Sequence, residues 1–248
     1  MPRSGTSWVM ERLSAHPAVG AYGELLLAAR SGYQKWPPGA GDRPFFETYL
    51  GERGIPNSRA GRHLHLFEFL DYVYAPRAGR RAIGFKLMYR SAARYPELLA
   101  YFRRRAVRVL HLVRVNLLDV ALSQTGIALR KTPHAWSQNE RDDIRVPLDT
   151  DDLLHKLRSM ERDRVIARCL LRAARLRVQE ITYEELHRSD RPLYQALEFL
   201  EVPSPSAYPL PSSMIKLASS SHRAGIANYE AVDVCLRGTR FHRFLRCD

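Results

Sequence analysis

Pro2-Arg3-Ser4-Gly5-Thr6-Ser7-Trp8 is a run of small and hydroxyl residues that passes directly into an apolar helical pattern carried by Trp8, Val9 and Leu13. Small residues let a backbone wrap an anion closely. A helix over about Trp8 to His16 would then aim its free N–H groups and positive dipole end at that anion. Ser4, Thr6 and Ser7 add hydroxyl donors, and Arg3 adds a permanent cation. Set against the phosphate-loop pattern GxxxxGK[ST], Gly5 takes the second glycine and Ser7 the last position, while Thr6 stands where the lysine belongs. The missing lysine argues against grip on a β/γ-phosphate pair, and so against a kinase-like enzyme.

Phosphate loops of α/β folds follow a central parallel strand, and here the loop begins at the second residue. The expectation is that the strand is missing from this chain, with Met1 the residue that joins strand to loop. A weakened central sheet and an under-supported loop would follow.

The run resembles the 5′-phosphosulfate loop of sulfotransferases that use 3′-phosphoadenosine 5′-phosphosulfate (PAPS). The resemblance implies contacts to the donor from Arg3, Ser4, Gly5, Thr6, Ser7 and Trp8. Further matches follow in order along the chain. Val19-Gly20-Ala21-Tyr22 is short enough for a buried parallel strand and delivers Gly23-Glu24, a carboxylate where parallel sheets place their crevice. Similar Gly-Glu pairs in bacterial carbohydrate and glycolipid sulfotransferases supply the base, which implies that role for Glu24.

Ala82 to Tyr89 reads as a strand interrupted by Lys86. A lysine inside an apolar strand is costly without an anion. Gly84-Phe85-Lys86-Leu87-Met88 resembles the family strand whose lysine meets the transferring sulfuryl group. Members acting on phenols carry a histidine base where this chain has Met88, which points to Glu24 instead. His134 is the next candidate.

Val107 to Val113 is the clearest strand, followed by Arg114 and a helix from Leu117 to Arg130 carrying Asp119, Ser123 and Gln124. This resembles the family's 3′-phosphate motif, in which an arginine forks onto phosphate and a serine donates. The serine lies one position too far from the arginine, and the matching position holds Val115. Tyr183-Glu184-Glu185-Leu186, after the strand Val178 to Tyr183, resembles the edge whose tyrosine lies near the adenine. Lys216 and Arg223, before Asn228-Tyr229-Glu230 and Arg237-Gly238-Thr239-Arg240-Phe241, resemble a closing series that covers the 3′-phosphate.

Between these motifs, residues 30 to 61 are Gly-, Pro- and Arg-rich and read as an aperiodic insert beside the acceptor. Residues 62 to 75 read as a helix with Leu64, Phe67, Leu70, Val73 and Tyr74 on its buried face. Tyr95 to Arg105 reads as a helix ending in a solvated basic run, and Lys131 to Pro147 as a polar loop. A long helix to about Arg175 takes Leu153, Leu157, Met160, Val165, Ile166 and Leu170 as its core stripe.

A length of 248 residues with 45% hydrophobic content suits one α/β domain over the whole chain. The expected architecture is P-loop-like, a parallel sheet flanked by helices on both faces. No run of 18 apolar residues and no signal peptide occurs. Three cysteines without metal-like spacing suit reduced thiols in a cytoplasm. No HExxH, CxxC or carboxylate cluster suggests a metal. The net charge of +13 asks for an anionic partner. Only five of the 39 basic residues are lysine, so part of the arginine excess reflects coding rather than binding.

The reading is a PAPS-dependent sulfotransferase that passes the sulfuryl group to a hydroxyl of a carbohydrate, glycolipid or other small acceptor, releasing 3′-phosphoadenosine 5′-phosphate (PAP). Glu24, Lys86 and Arg3 would carry the chemistry. Nucleic acid is not an expected partner, and the sequence leaves a homo-oligomer open. The rival is a non-catalytic basic module that holds a phosphorylated nucleotide or nucleic acid.

Overall fold

Two short parallel ladders organise the chain in the computed structural model, which describes residues 5–27, 44–130, 145–203, 210–211 and 221–246. Strand β1 (Val19–Tyr22) pairs with β2 (Ala82–Phe85), Tyr22 opposite Phe85. Strand β3 (Arg108–Val113) pairs with β4 (Arg177–Thr182), Val113 opposite Thr182. The protein is α/β, with two sheets of two strands among the described residues. Parallel pairing needs long crossovers, and helices supply them.

Helix α1 (Thr6–Ser14) precedes β1 and packs on it; Gly5 opens it at φ 85°, a left-handed conformation that glycine adopts without cost. Between β1 and β2 come α2 (Phe46–Glu52) and α3 (Arg59–Tyr74). Two short helices, α4 (Tyr89–Arg94) and α5 (Leu98–Arg104), join β2 to β3. Helices α6 (Leu117–Arg130) and α7 (Thr150–Ala173) lead to β4. The chain continues through α8 (Tyr183–Arg188), α9 (Arg191–Phe199), α10 (His222–Gly225) and α11 (Tyr229–Leu236), then a 3-10 turn, His242–Arg246.

Several expectations need correction. The insert over 30–61 is not wholly aperiodic: Phe46, Tyr49 and Leu50 recur at helical spacing and are almost fully buried. The Gly- and Pro-rich flanks masked that pattern. In α3 the buried face is Leu66, Phe69, Leu70 and Val73, and Leu64 is 78% exposed. Arg62 takes a buried place on that face, hydrogen-bonding the Tyr95 hydroxyl and pairing with Glu47. Strand β2 stops at Phe85, because Tyr89 already begins a helix. The helix expected over Tyr95 to Arg105 begins only at Leu98, because Tyr95 closes α4 in non-helical geometry ahead of Pro96. In the polar loop after Lys131, residues 131 to 144 lie outside the described residues, but Val146 is buried and bridges Ile226. In α7 the stripe holds through Leu153, Leu157 and Met160; Val165, Ile166 and Leu170 are each about half exposed.

Apolar burial falls into three clusters. One joins α6, α7, α11 and the closing turn, a second joins the residues after β1 to α2, α3 and α5, and a third joins α1, β1, β4, α8 and α9. Arg12, buried on α1, fastens that helix to distant chain by hydrogen-bonding the Leu210 carbonyl at 2.7 Å and pairing with Asp190 at 2.7 Å. No described helix is long and apolar enough to cross a membrane.

Candidate functional site

Parallel register puts the carboxyl ends of β1 and β2 side by side, so residues just beyond them meet. Glu24 follows β1 by two positions and Lys86 follows β2 by one, and Glu24 Oε1 lies 2.6 Å from Lys86 Nζ. Lys86 therefore sits at the strand's exit rather than within it, with its N–H still bonded to the Tyr22 carbonyl at 2.9 Å. Both side chains are shielded, Lys86 12% and Glu24 19% exposed, so their attraction is screened less than that of a surface ion pair, against a larger desolvation cost. The ammonium also donates to Ser7 Oγ at 3.3 Å. That contact carries the pair to the first turn of α1, whose N-cap position holds Gly5 and makes no side-chain cap bond. The first N–H groups of a helix have no intrahelical acceptor, so this end is suited to an anion.

The loop touches the second sheet as well. A Cβ added to Gly5 would lie 2.4 Å from Tyr183 Cδ2, so glycine is required there both by its φ and by the ring. Trp8 meets the same ring edge-on with centroids 5.9 Å apart. Tyr183 is the first residue of α8 rather than the last of the strand, placed by a capping box between Thr182 and Glu185. On the ring's other neighbour, the Arg114 guanidinium lies 4.4 Å from the centroid. Gly5, Ser7 and Trp8 thus link Glu24 and Lys86 at one sheet to Arg114 and Tyr183 at the other.

Arg114 is buried and its Nη2 donates to Asp119 Oδ2 at 2.8 Å. His222 Nε2 lies 2.7 Å from the other carboxylate oxygen. Burial works to raise the Asp119 carboxyl, but the His222 hydrogen bond and the Arg114 charge outweigh it and hold it below the ordinary range. The N–H groups that open α6 are already engaged: Glu184 accepts from Val115 and Asn116 at 3.0 Å each, and the Asn116 side chain accepts from Leu118 and Asp119. Ser123 lies half-buried further along α6. Arg223 points elsewhere, pairing with Glu230 at 2.7 Å with both side chains about three-quarters exposed. The structure therefore brings together Gly5, Thr6, Ser7, Trp8, Glu24, Lys86, Arg114 and Tyr183, and sets Arg223 on the surface. Arg3, Ser4, Lys216 and His134 lie outside the described residues.

A polar chain that the sequence reading passed over runs along the second sheet. The Tyr89 hydroxyl lies 2.5 Å from His111 Nε2, His111 Nδ1 lies 3.1 Å from Glu180, and Arg168 Nε donates to Glu180 at 2.8 Å. Burial pushes the His111 imidazole below its ordinary value and the Tyr89 hydroxyl up to about 12. The signal was available: His111 interrupts an apolar strand, the same reasoning that singled out Lys86. His222 gave no such signal, because its partner Asp119 is 103 residues away. Among the described residues no group of three or more His, Cys, Asp or Glu side chains is placed to hold a metal.

Family models, curated proteins and solved structures yield no match to this chain.

Proposed function

We propose that this chain is a PAPS-dependent sulfotransferase with a P-loop-like arrangement of its parallel strands, acting on a hydroxyl acceptor. The observation that carries the reading is the meeting of Glu24, Lys86 and Ser7 at the N-terminus of α1. A shielded cation, a carboxylate and a row of helix N–H groups at the carboxyl ends of parallel strands are what in-line transfer from a phosphosulfate requires. The acceptor oxygen bonds to sulfur as the bond from sulfur to the phosphate oxygen breaks. The acceptor's proton passes to the Glu24 carboxylate. Lys86, with Arg3 from the loop, balances charge on the sulfuryl group and the departing phosphate oxygen.

Lys86 and Glu24 pair with each other at 2.6 Å. An incoming phosphosulfate competes for the ammonium, and Glu24 is then released to act as base. Tyr183, packed against Gly5 and under Arg114, puts an aromatic ring beside the loop, where the resemblance implies the adenine.

The test is incubation with PAPS and a panel of sugar, glycolipid and phenol acceptors, reading PAP release, beside thermal shifts with PAP and ATP. PAP should stabilise the protein more than ATP does, because the loop lacks the lysine that grips a γ-phosphate. Equal shifts would overturn the donor assignment. Stabilisation by PAP without turnover on any acceptor would favour the non-catalytic binding module.

A further inference from the structure

The second half of α7 carries two kinds of exposed side chain on one face. Arg158, Arg162, Ile166 and Leu170 stand four apart in a single row along the helix, and Val165, Cys169 and Ala173 form the row beside it. Val165, Ile166 and Leu170 are 49%, 48% and 50% exposed. They are three of the seven large exposed apolar residues among the described ones, and the other four are single residues elsewhere, which need no explanation. Ile166 and Leu170 also border a cavity of about 1230 Å³ walled by Ile83 of β2 and Val109 of β3, whereas Val165 and Cys169 are not part of its walls. The apolar row thus reaches the outer surface and does not merely face inward.

Cations bracket this patch. Arg158 and Arg162 lead into it and Arg172 closes it, all three exposed and none in an ion pair among the described residues. Arg103 on α5 reaches the Ala174 carbonyl at 3.5 Å, which sets the run Arg103-Arg104-Arg105 at the same end of α7. Of the carboxylates in this half of the helix, Glu161 is held by Arg240, and Asp163 alone is left at the border.

Arginines and aliphatic side chains on one exposed face ask for a partner that offers anions and hydrocarbon together. Nucleic acid supplies phosphate, but the patch has no aromatic side chain on which a base could stack. A protein interface of ordinary size buries about 800 Å² on each side and is enriched in aromatic side chains, which this face lacks as well. Anionic phospholipid supplies both needs, because arginines meet its headgroups while aliphatic tips enter the boundary of the acyl region.

We infer that α7 docks the protein on an anionic phospholipid bilayer, lying in the plane of the surface with Val165, Ile166 and Leu170 turned toward the acyl chains. Arg158, Arg162, Arg172 and the basic run of α5 hold the headgroups around them. The contact is peripheral, since no described helix is long and apolar enough to cross a membrane and three half-exposed aliphatic side chains reach only the interface. This inference rests on the patch alone, and it holds whether or not the protein transfers sulfuryl groups.

Vesicle cosedimentation tests it on the 248-residue chain, with vesicles of phosphatidylcholine alone and of phosphatidylcholine with about 30% phosphatidylglycerol. The protein should pellet with the anionic vesicles and stay in solution with the neutral ones. Replacing Arg158, Arg162 and Arg172 by glutamine should weaken binding by about fivefold per residue, roughly a hundredfold together. Val165→Gln, Ile166→Gln and Leu170→Gln combined should weaken it by about tenfold or more, and should remove whatever binding survives about 0.5 M salt, where the charges are screened. An environment-sensitive fluorophore on the exposed Cys169, in a chain with Cys235 and Cys247 replaced by serine, should shift to the blue on anionic vesicles alone, and this reading needs neither triple variant to fold. Equal binding to neutral vesicles, no binding to either, an unmoved fluorophore, or unchanged binding in either triple variant would overturn the inference. So would tighter binding to duplex DNA lost in the same arginine variant, which would make the face a nucleic-acid surface. A dimer that the Val165, Ile166 and Leu170 variant splits would overturn it too, making the face an interface between copies.

Discussion

Replacing Gly5 by alanine strikes the loop at two points that can be separated. Gly5 has φ 85°, where a Cβ costs about 1–2 kcal/mol. That Cβ would also stand 2.4 and 2.8 Å from two carbons of the Tyr183 ring, well inside van der Waals contact. The ring must then leave its place between Trp8 and the Arg114 guanidinium. Losing the edge-on contact costs about 0.5–1.5 kcal/mol and losing the cation–π contact about 0.5–2 kcal/mol. The total is roughly 2–5 kcal/mol, and at about 2–4 °C per kcal/mol for a chain of this size the melting temperature should fall by roughly 4–20 °C. In a Tyr183→Ala background the ring is absent, and Gly5→Ala should cost only the backbone part, about 1–2 kcal/mol. Thermal melting of the wild type, both single variants and the double variant closes the cycle. If Gly5→Ala costs as much without the ring as with it, Tyr183 does not pack against the loop and the link between the two sheets is wrong.

Glu24→Gln should leave the thermal shift with PAP nearly intact while lowering PAP release by roughly 10²- to 10⁴-fold; unchanged release would move the base elsewhere. Lys86→Ala should lower turnover by about 3 kcal/mol, roughly 100-fold, with little change in the salt dependence of any nucleic-acid binding. Substituting Arg103, Arg104 and Arg105 together should reduce that salt slope by up to about three and spare turnover, and the reverse pattern would show that the site has been misplaced. His111 is held neutral by burial, so the unfolded chain binds a proton that the fold refuses. Stability should therefore be fully present above pH of about 6.5 and fall as pH drops below it, until the depressed imidazole itself titrates. His111→Gln should flatten the pH dependence of urea-derived stability just below about pH 6.5; Glu180, with its carboxyl held low first by the Arg168 hydrogen bond, adds its loss only in more acid solution. An unchanged slope in that variant would refute the assignment to His111.

How much could be read beforehand depended on the range of the forces involved. β1 and α6 were legible residue for residue, because an apolar run or a helical period is a local pattern. Glu24 and Lys86 were each legible through a single anomaly, a carboxylate at a strand exit and a lysine in apolar surroundings. Their contact at 2.6 Å depends on the register of two strands some sixty residues apart, which no local pattern encodes. The exposed half of α7 went the other way. Val165, Ile166 and Leu170 have the spacing of a buried stripe, and they stand uncovered because burial depends on what lies opposite. Arg114 has its carboxylate partner Asp119 only five positions on, but the His222 bond that holds that carboxylate comes from chain 103 residues downstream.

The ties between α1 and the far end of the chain also set an order of events during synthesis. Val9 and Leu13 are buried against a cluster that includes Leu186, Leu193, Leu197 and Leu210, about 170 to 200 positions further along. At about 5–20 residues per second, α1 waits roughly 10–40 s for those partners to be made. During that interval β1 is the nearest apolar surface against which it can rest, and Arg12 has neither Asp190 nor the Leu210 carbonyl to bind. The turn at Gly5 and the helix behind it are thus made well before the chain that locks them in place.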